Sequence, residues 1–311
     1  MRIVDSATAQ PLSGALVSLL DRTGVVIAEG LTSENGFRAF PAPPGRYRVR
    51  VRRIGYRPFE SAIDDLSDSR MAVVRVESEP VVLSTIVISA RTSCRSVESS
   101  ASHALATVWG EATKALEASR LTLADLQGIG RAWTYNKTRG PSGARDSSDT
   151  TYFTVRDSRP FRARDADALA MHGYVDGDAT HGWSYFGPDE AVLLSQSFAR
   201  THCFRLERDR GQPGMIGVSF EPVPGRERAD VAGVAWLDES TNELKRIVFR
   251  FVNAGLISAY GGGGETHFTR LSSGAWLVSF WFLRVPLLVE VDGRAHRAGF
   301  QEDGGGVLHP H

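Results

Sequence analysis

The densest run of side chains able to ligate a metal or move a proton is His172-Gly173-Tyr174-Val175-Asp176-Gly177-Asp178-Ala179-Thr180-His181-Gly182-Trp183. Two carboxylates two residues apart can share a hard cation, and two nearby imidazoles suit a transition metal. His172, Asp176, Asp178 and His181 are therefore a candidate metal set for an assisted hydrolysis. The plainer reading is a polar turn between strands, since Asp-Gly-Asp is ordinary turn chemistry and no calcium-loop pattern continues after it. His202 beside Cys203 could activate a thiolate or could simply flank a structural cysteine in a strand. Glu221 and Asp230 can be read as paired carboxylates for sugar chemistry or as loop acids.

The motifs that enzyme mechanisms need are otherwise missing. There is no G-x-S-x-G turn to expose a hydrolase serine and no H-E-x-x-H pair to seat zinc on one helical face. Gly128-Ile129-Gly130 lacks the third glycine of a phosphate loop, and Gly261 to Gly264 is followed by no Lys-Ser/Thr. A non-enzymatic protein without a cofactor is expected. The best candidates for binding are aromatic: Trp133, Tyr152, Tyr174, Trp183 and Tyr185, which a β-sheet could gather on one face around an apolar ligand. Core packing is the competing explanation for them.

Length and charge bound what remains. The 311 residues suit about two domains, and 42% hydrophobic with 23% charged residues is the composition of a folding chain. Thirty-six basic residues balance 36 acidic ones, so no net field favours nucleic acid or a membrane surface. The most apolar stretch, Ala275 to Val291, is broken by Arg284, Pro286 and Glu290 and reads as strand, not as a membrane helix. Met1 to Asp5 carries no signal peptide, yet the opening strand reads as cut short, so an exported, periplasmic or outer-membrane-associated protein is expected. Cys94 and Cys203 form no metal-ligand spacing. In an oxidising compartment they could form a disulfide closing a long loop, worth about 4–5 kcal/mol in the chain-entropy model. Two unrelated buried thiols are the alternative.

The elements that would position these residues begin with strands. Ala15 to Leu20, Val25 to Ala28, Phe37 to Phe40, Tyr47 to Arg52, Met71 to Val76 and Val81 to Ile88 follow one another with turn signals such as Asn35-Gly36 between them. Tyr47, Val49 and Val51 fall on one face and Arg46, Arg48, Arg50 and Arg52 on the other, which predicts one dry and one wet side. Gly36 and Gly45 are expected at positive φ. Pro11 to Val17, Leu31 to Phe37, Pro44 to Tyr47 and Ile54-Gly55-Tyr56 together resemble, in order, the signatures of the carboxypeptidase regulatory-like, transthyretin-like domain family. The resemblance implies a non-catalytic β-sandwich of exported proteins over residues 1–90. Val81 to Ala90 also resembles the stretch that joins this module to the plug of TonB-dependent receptors, which adds weight to export.

Residues 91–122 read as a polar linker followed by an amphipathic helix carrying Leu105, Val108, Trp109, Ala112, Leu116 and Leu121. Beyond it, 123–298 is predicted as an antiparallel sheet domain, with strands at 132–137, 150–156, 169–175, 202–207, 215–220, 231–237, 244–252, 266–271 and 275–285. Between them lie a polar loop at 138–148, a helical turn at 189–194 and a glycine connection at 261–264. The strand at 275–285 is apolar on both faces, so the helix is expected to cover it. The order of helix then meander, with Gly233 to Asp238 leading through a hairpin to Leu244-Lys245-Arg246-Ile247, resembles the half-barrel of periplasmic lipoprotein carriers. Residues 299–311 are expected to be a flexible Gly-rich tail. The fold expected is mainly β, a sandwich plus a helix-covered half-barrel. The leading functional expectation is an envelope protein binding a partner, glycan or lipid. The alternatives are a lipid or lipoprotein carrier and a metal-assisted hydrolase.

Overall fold

The computed structural model describes residues 1–41, 45–61, 64–65, 72–79, 103–126, 129–140, 145–155, 164–178, 182–209, 211–292 and 294–308. The strand expected at 81–88, the linker with Cys94, and His181 lie outside the described residues.

The N-terminal domain is a β-sandwich. Strand β1 (Arg2–Asp5) runs parallel to β7 (Val73–Val76). The facing sheet has the order β3 (Val26–Leu31), β2 (Leu16–Leu20), β4 (Arg46–Arg52), β5 (Phe59–Glu60), with β6 (Asp64–Asp65) also on β4. Alternation decides the packing: Tyr47, Val49 and Val51 of β4 join Val17 and Leu19 of β2, with Ile3 and Val76, in one buried cluster. Gly36 has φ 72, and a Cβ there would meet the Ile3 carbonyl, so the Asn35-Gly36 turn behaves as expected. Gly45 does not adopt a positive φ and lies against the Tyr47 ring instead.

The arginine face of β4 is less wet than expected, because Arg48 and Arg50 both pair with Glu60 of β5 at 2.9 Å and Arg52 reaches helix α1 (His103–Asp125). Arg52 pairs with Glu117 at 2.8 Å, Arg120 of the helix pairs with Glu29, and the Gly55 amide donates to Glu111. Burial pushes the Glu117 carboxyl above its ordinary range, with Arg52 opposing. Leu16 and Leu31 of the sandwich belong to the same buried cluster as Leu116 and Trp276, so β2 faces two cores.

The other side of α1 lies on a nine-stranded antiparallel sheet. Its strands are β8 (Arg131–Arg139), β9 (Arg145–Thr154), β12 (His202–Arg208), β13 (Met215–Pro222), β14 (Asp230–Asp238), β15 (Leu244–Val252), β16 (Gly263–Arg270), β17 (Trp276–Val291) and β18 (Arg294–Val307). β12 to β18 form a continuous meander, β18 then pairs with β8, and β12 and β9 end the open sheet. Leu116, Ile216, Phe220, Leu237, Ile247 and Phe251 are fully buried on the helix side. The Trp276 amide donates to Thr122 Oγ1 of the helix at 3.2 Å, which fixes β17 beneath it as anticipated. Short elements complete the domain: α2 (Ala166–His172), β10 (Val175–Asp178), β11 (Gly182–Tyr185), α3 (Glu190–Leu193), α4 (Gln196–Thr201) and α5 (Leu256–Ala259).

Five further expectations change. Phe37 to Phe40 holds no strand, Phe37 making only an isolated bridge with Arg2. The strand expected at 169–175 is largely helix α2, whose first-turn amides at Asp167 and Ala168 are capped by the Asp165 carboxylate. The polar loop at 138–148 is mostly hairpin, because β8 continues to Arg139 and β9 starts at Arg145. Gly263 and Gly264 are buried members of β16, pressed against β15 and β17, and not a flexible connection. The tail expected to be flexible from 299 is strand to Val307, hydrogen-bonded on one side to β17 and on the other to β8.

Candidate ligand-binding face

Side chains alternate across a sheet, so the face of β8, β17 and β18 turned away from α1 can be read from the register. Trp133, Tyr135, Lys137 and Arg139 of β8 lie opposite Gly306, Gly304, Glu302 and Phe300 of β18. On the other flank of β18, Phe282 and Arg284 of β17 oppose Gly304 and Glu302. Phe280 lies two residues before Phe282, on the same face.

The two glycines explain the aromatic geometry. A Cβ on Gly304 would fall 2.5 Å from Tyr135 Cζ and 2.6 Å from its Oη, and one on Gly306 would fall 3.2 Å from Trp133 Nε1. Tyr135 therefore lies over the bare backbone of Gly304, where a side chain would lift it, while Gly306 is pressed first against the Ser279 carbonyl with the Trp133 indole nitrogen beside it. The ring planes agree: Trp133 to Tyr135 is 5.8 Å at 20°, Trp133 to Phe280 6.2 Å at 23°, and Tyr135 to Phe280 6.5 Å at 7°. Three half-buried rings thus tile one face as a near-level platform.

A charged network bounds the platform. The buried Glu302 carboxylate accepts from Tyr135 Oη at 2.8 Å, Lys137 Nζ at 2.7 Å and Arg284 Nε at 2.7 Å, and it also pairs with the second Arg284 nitrogen. Burial alone would raise the Glu302 pKa, but these three donors outweigh it and hold the carboxyl below its ordinary range. The Tyr135 phenol is pushed far up by burial and by the Glu302 charge, so it remains a donor. Next to Glu302 a pocket of about 230 Å³ is lined by Arg139, Arg284, Arg297, Gly299 and Phe300.

The residues singled out in the sequence are only partly gathered here. Trp133 is in the platform, and Tyr152 is its exposed cross-strand neighbour on β9. Tyr174 is 2% exposed and belongs to the core, which raises its phenol pKa well above the ordinary value and removes it from any ligand surface. Trp183 is exposed on the separate β10–β11 hairpin, and Tyr185 packs on Phe251. Tyr135, Phe280, Lys137, Arg284 and Glu302 were not singled out. The alternating Trp133-x-Tyr135-x-Lys137-x-Arg139 pattern was the signal for four cofacial residues.

Of the candidate metal set, the structure describes only the His172 and Asp176 side chains. Asp176 pairs with Arg164 at 2.7 Å, a hydrogen bond that lowers its pKa, while His172 ends α2. His181 and the Asp178 side chain lie outside the described residues. Among the described residues no three His, Cys, Asp or Glu side chains converge. His202 is buried on Phe198 and bonds Thr201 Oγ1, the Val231 carbonyl and Asp230, on the opposite side of β12 from Cys203. Its surroundings give it a structural part, not thiolate activation. Asp230 is fully buried against Arg226, whereas Glu221 is exposed and pairs with Arg205, so these two acids do not act as a pair. Cys203 is buried on β12 and is not a free thiol.

Sandwich, helix and open sheet with an aromatic face define a mainly β protein. Residues 2–89 match the Carboxypeptidase regulatory-like domain family, so the N-terminal sandwich is a domain of that family. Among solved structures, a DUF1329 family protein from Desulfovibrio piger is similar at 10% identity over 65% of this chain and 90% of that chain, with a TM-score of 0.27. Likeness at that level carries no argument about the larger domain. No curated protein matches the chain.

Proposed function

We propose that this is a non-enzymatic, exported cell-envelope protein that binds a glycan on the open face of its larger sheet. The observation that carries the reading is the set of near-parallel rings of Trp133, Tyr135 and Phe280 on one face, with Tyr135 laid over Gly304. Sugar rings present C–H faces that stack on aromatic faces, and their hydroxyls seek charged and polar partners at the rim. Lys137, Glu302 and Arg284 supply those partners beside the platform. The regulatory-like domain supports an exported setting, since its family is a non-catalytic module of exported proteins.

The carrier alternative gains nothing from the opposite face, where the side chains beneath α1 are fully buried and fill the space an acyl chain would need. The hydrolase alternative gains nothing from His172 and Asp176 as placed. A glycan array on the full chain tests the proposal, followed by titration of the best hit against Trp133→Ala. Loss of one stacked ring should weaken binding about tenfold, roughly 1.4 kcal/mol. An array without hits, or unchanged affinity in Trp133→Ala, removes the glycan reading.

A further inference from the structure

We infer that the pocket beside the platform is an anion subsite, and that the bound glycan carries a carboxylate, sulfate or phosphate group there. The substrate class rests on the glycan reading of the same face, while the anion subsite is testable without it. Arg139, Arg284 and Arg297 line the pocket, and Lys137 stands one cross-strand pair away, against the single carboxylate of Glu302. Glu302 is already engaged by Lys137, Arg284 and Tyr135. Among the described residues, no carboxylate pairs with Arg139 or Arg297.

The guanidinium groups are also held in place. Arg297 lies 4.9 Å from the Phe300 ring centroid and 5.9 Å from that of Tyr260, and Arg284 lies over Phe282 at 5.2 Å and 6.0 Å from Phe300. Stacking fixes the planes and leaves N–H edges for a ligand, the arrangement in which arginine recognises planar or tetrahedral oxyanions. Gly299 brings β18 against the Arg139 carbonyl where a Cβ would collide, which seats Arg139 beside Phe300. The hydrogen-bonded path from Tyr135 through Glu302 to Arg284 joins the pocket to the platform. A glycan on the rings would therefore place a substituent among the arginines.

Two measurements on the full chain separate this inference from the glycan reading. The first titrates wild type and Arg139→Gln/Arg297→Gln with sulfate, phosphate and glucuronate at low salt. Saturable binding of at least one anion, weakened tenfold or more in the double variant, is expected, and the preferred anion identifies the group. No saturable response to any of the three, or an equal response in the variant, overturns the anion subsite. The second compares a neutral oligosaccharide with its acidic counterparts. A preference of tenfold or more for the acidic form, abolished in the double variant with neutral binding retained, supports the inference. Equal binding of both forms overturns it and leaves the glycan reading standing. Anion binding without any glycan binding overturns the glycan reading and keeps the subsite. Both arginines are exposed, so the double variant should keep the wild-type circular dichroism spectrum.

Discussion

Replacing Glu302 by alanine is the sharpest perturbation of the candidate face. The carboxylate is 7% exposed and serves three donors; its removal leaves Lys137, 18% exposed, and Arg284, 44% exposed, without their partner. Breaking a fully buried ion pair costs about 3–5 kcal/mol. Arg284 regains water, which discounts its share, so Glu302→Ala should lose about 2–3 kcal/mol. With an unfolding entropy of ~2.1 cal/mol/K per residue, a chain of this length changes by about 0.65 kcal/mol for each degree, so the midpoint should fall by about 3–5 °C. Calorimetry or circular dichroism at pH 7 measures this. Glu302→Gln, which still accepts from Tyr135, should lose about half as much. The pH dependence has a definite sign. A carboxyl whose folded pKa is depressed contributes stability that is fully present above its unfolded value and is lost as pH falls through the folded value. The gap between wild type and Glu302→Gln should therefore be complete at neutral pH and close on acidification below the ordinary carboxylate range. A midpoint for Glu302→Ala within about 1 °C of wild type, or a gap that widens in acid, would refute this account of the network.

Two further predictions concern the rest of the molecule. Gly274 has φ +82, and a Cβ there would lie 2.7 Å from the Ser13 carbonyl carbon, so Gly274→Ala combines left-handed strain with a clash between the domains. It should lose about 2–4 kcal/mol and speed protease cleavage, and an unchanged melting temperature and digestion rate would count against the contact. Cys203 is proposed to pair with Cys94; thiol titration of denatured protein from an oxidising compartment, without reductant, should find no free thiol, and two free thiols would refute the pairing.

Local pattern carried much of the fold. The alternation in β4, the helical stripe from Leu105 to Leu121 and the first six strands of the meander, β12 to β17, each follow from period and turn chemistry, and each is present. Helix α2 was misread because Leu169 to Val175 fits either period, and the deciding signal was the small capping group Asp165. The binding face was hidden for a different reason. Tyr135 and Glu302 are 167 residues apart, and their contact depends on β18 returning to β8. A strand can be recognised from its own residues, but its neighbour cannot. Glycine was misleading too, since Gly304-Gly305-Gly306 has the composition of a loose end. Its physical role is close approach: Gly304 leaves room for the Tyr135 ring, and Gly305 and Gly306 for the Trp133 and Ser279 carbonyls.

The two-faced strand β2 changes what the regulatory-like domain is in this protein. Val17 and Leu19 close its own core while Leu16, with Leu31 of β3, is buried with the larger domain. Excising residues 1–90 would strip a shared wall from both halves, so neither fragment is a natural unit for expression. The domain is in this chain a buttress, and its sequence at Leu16 answers to a neighbour as well as to its own fold.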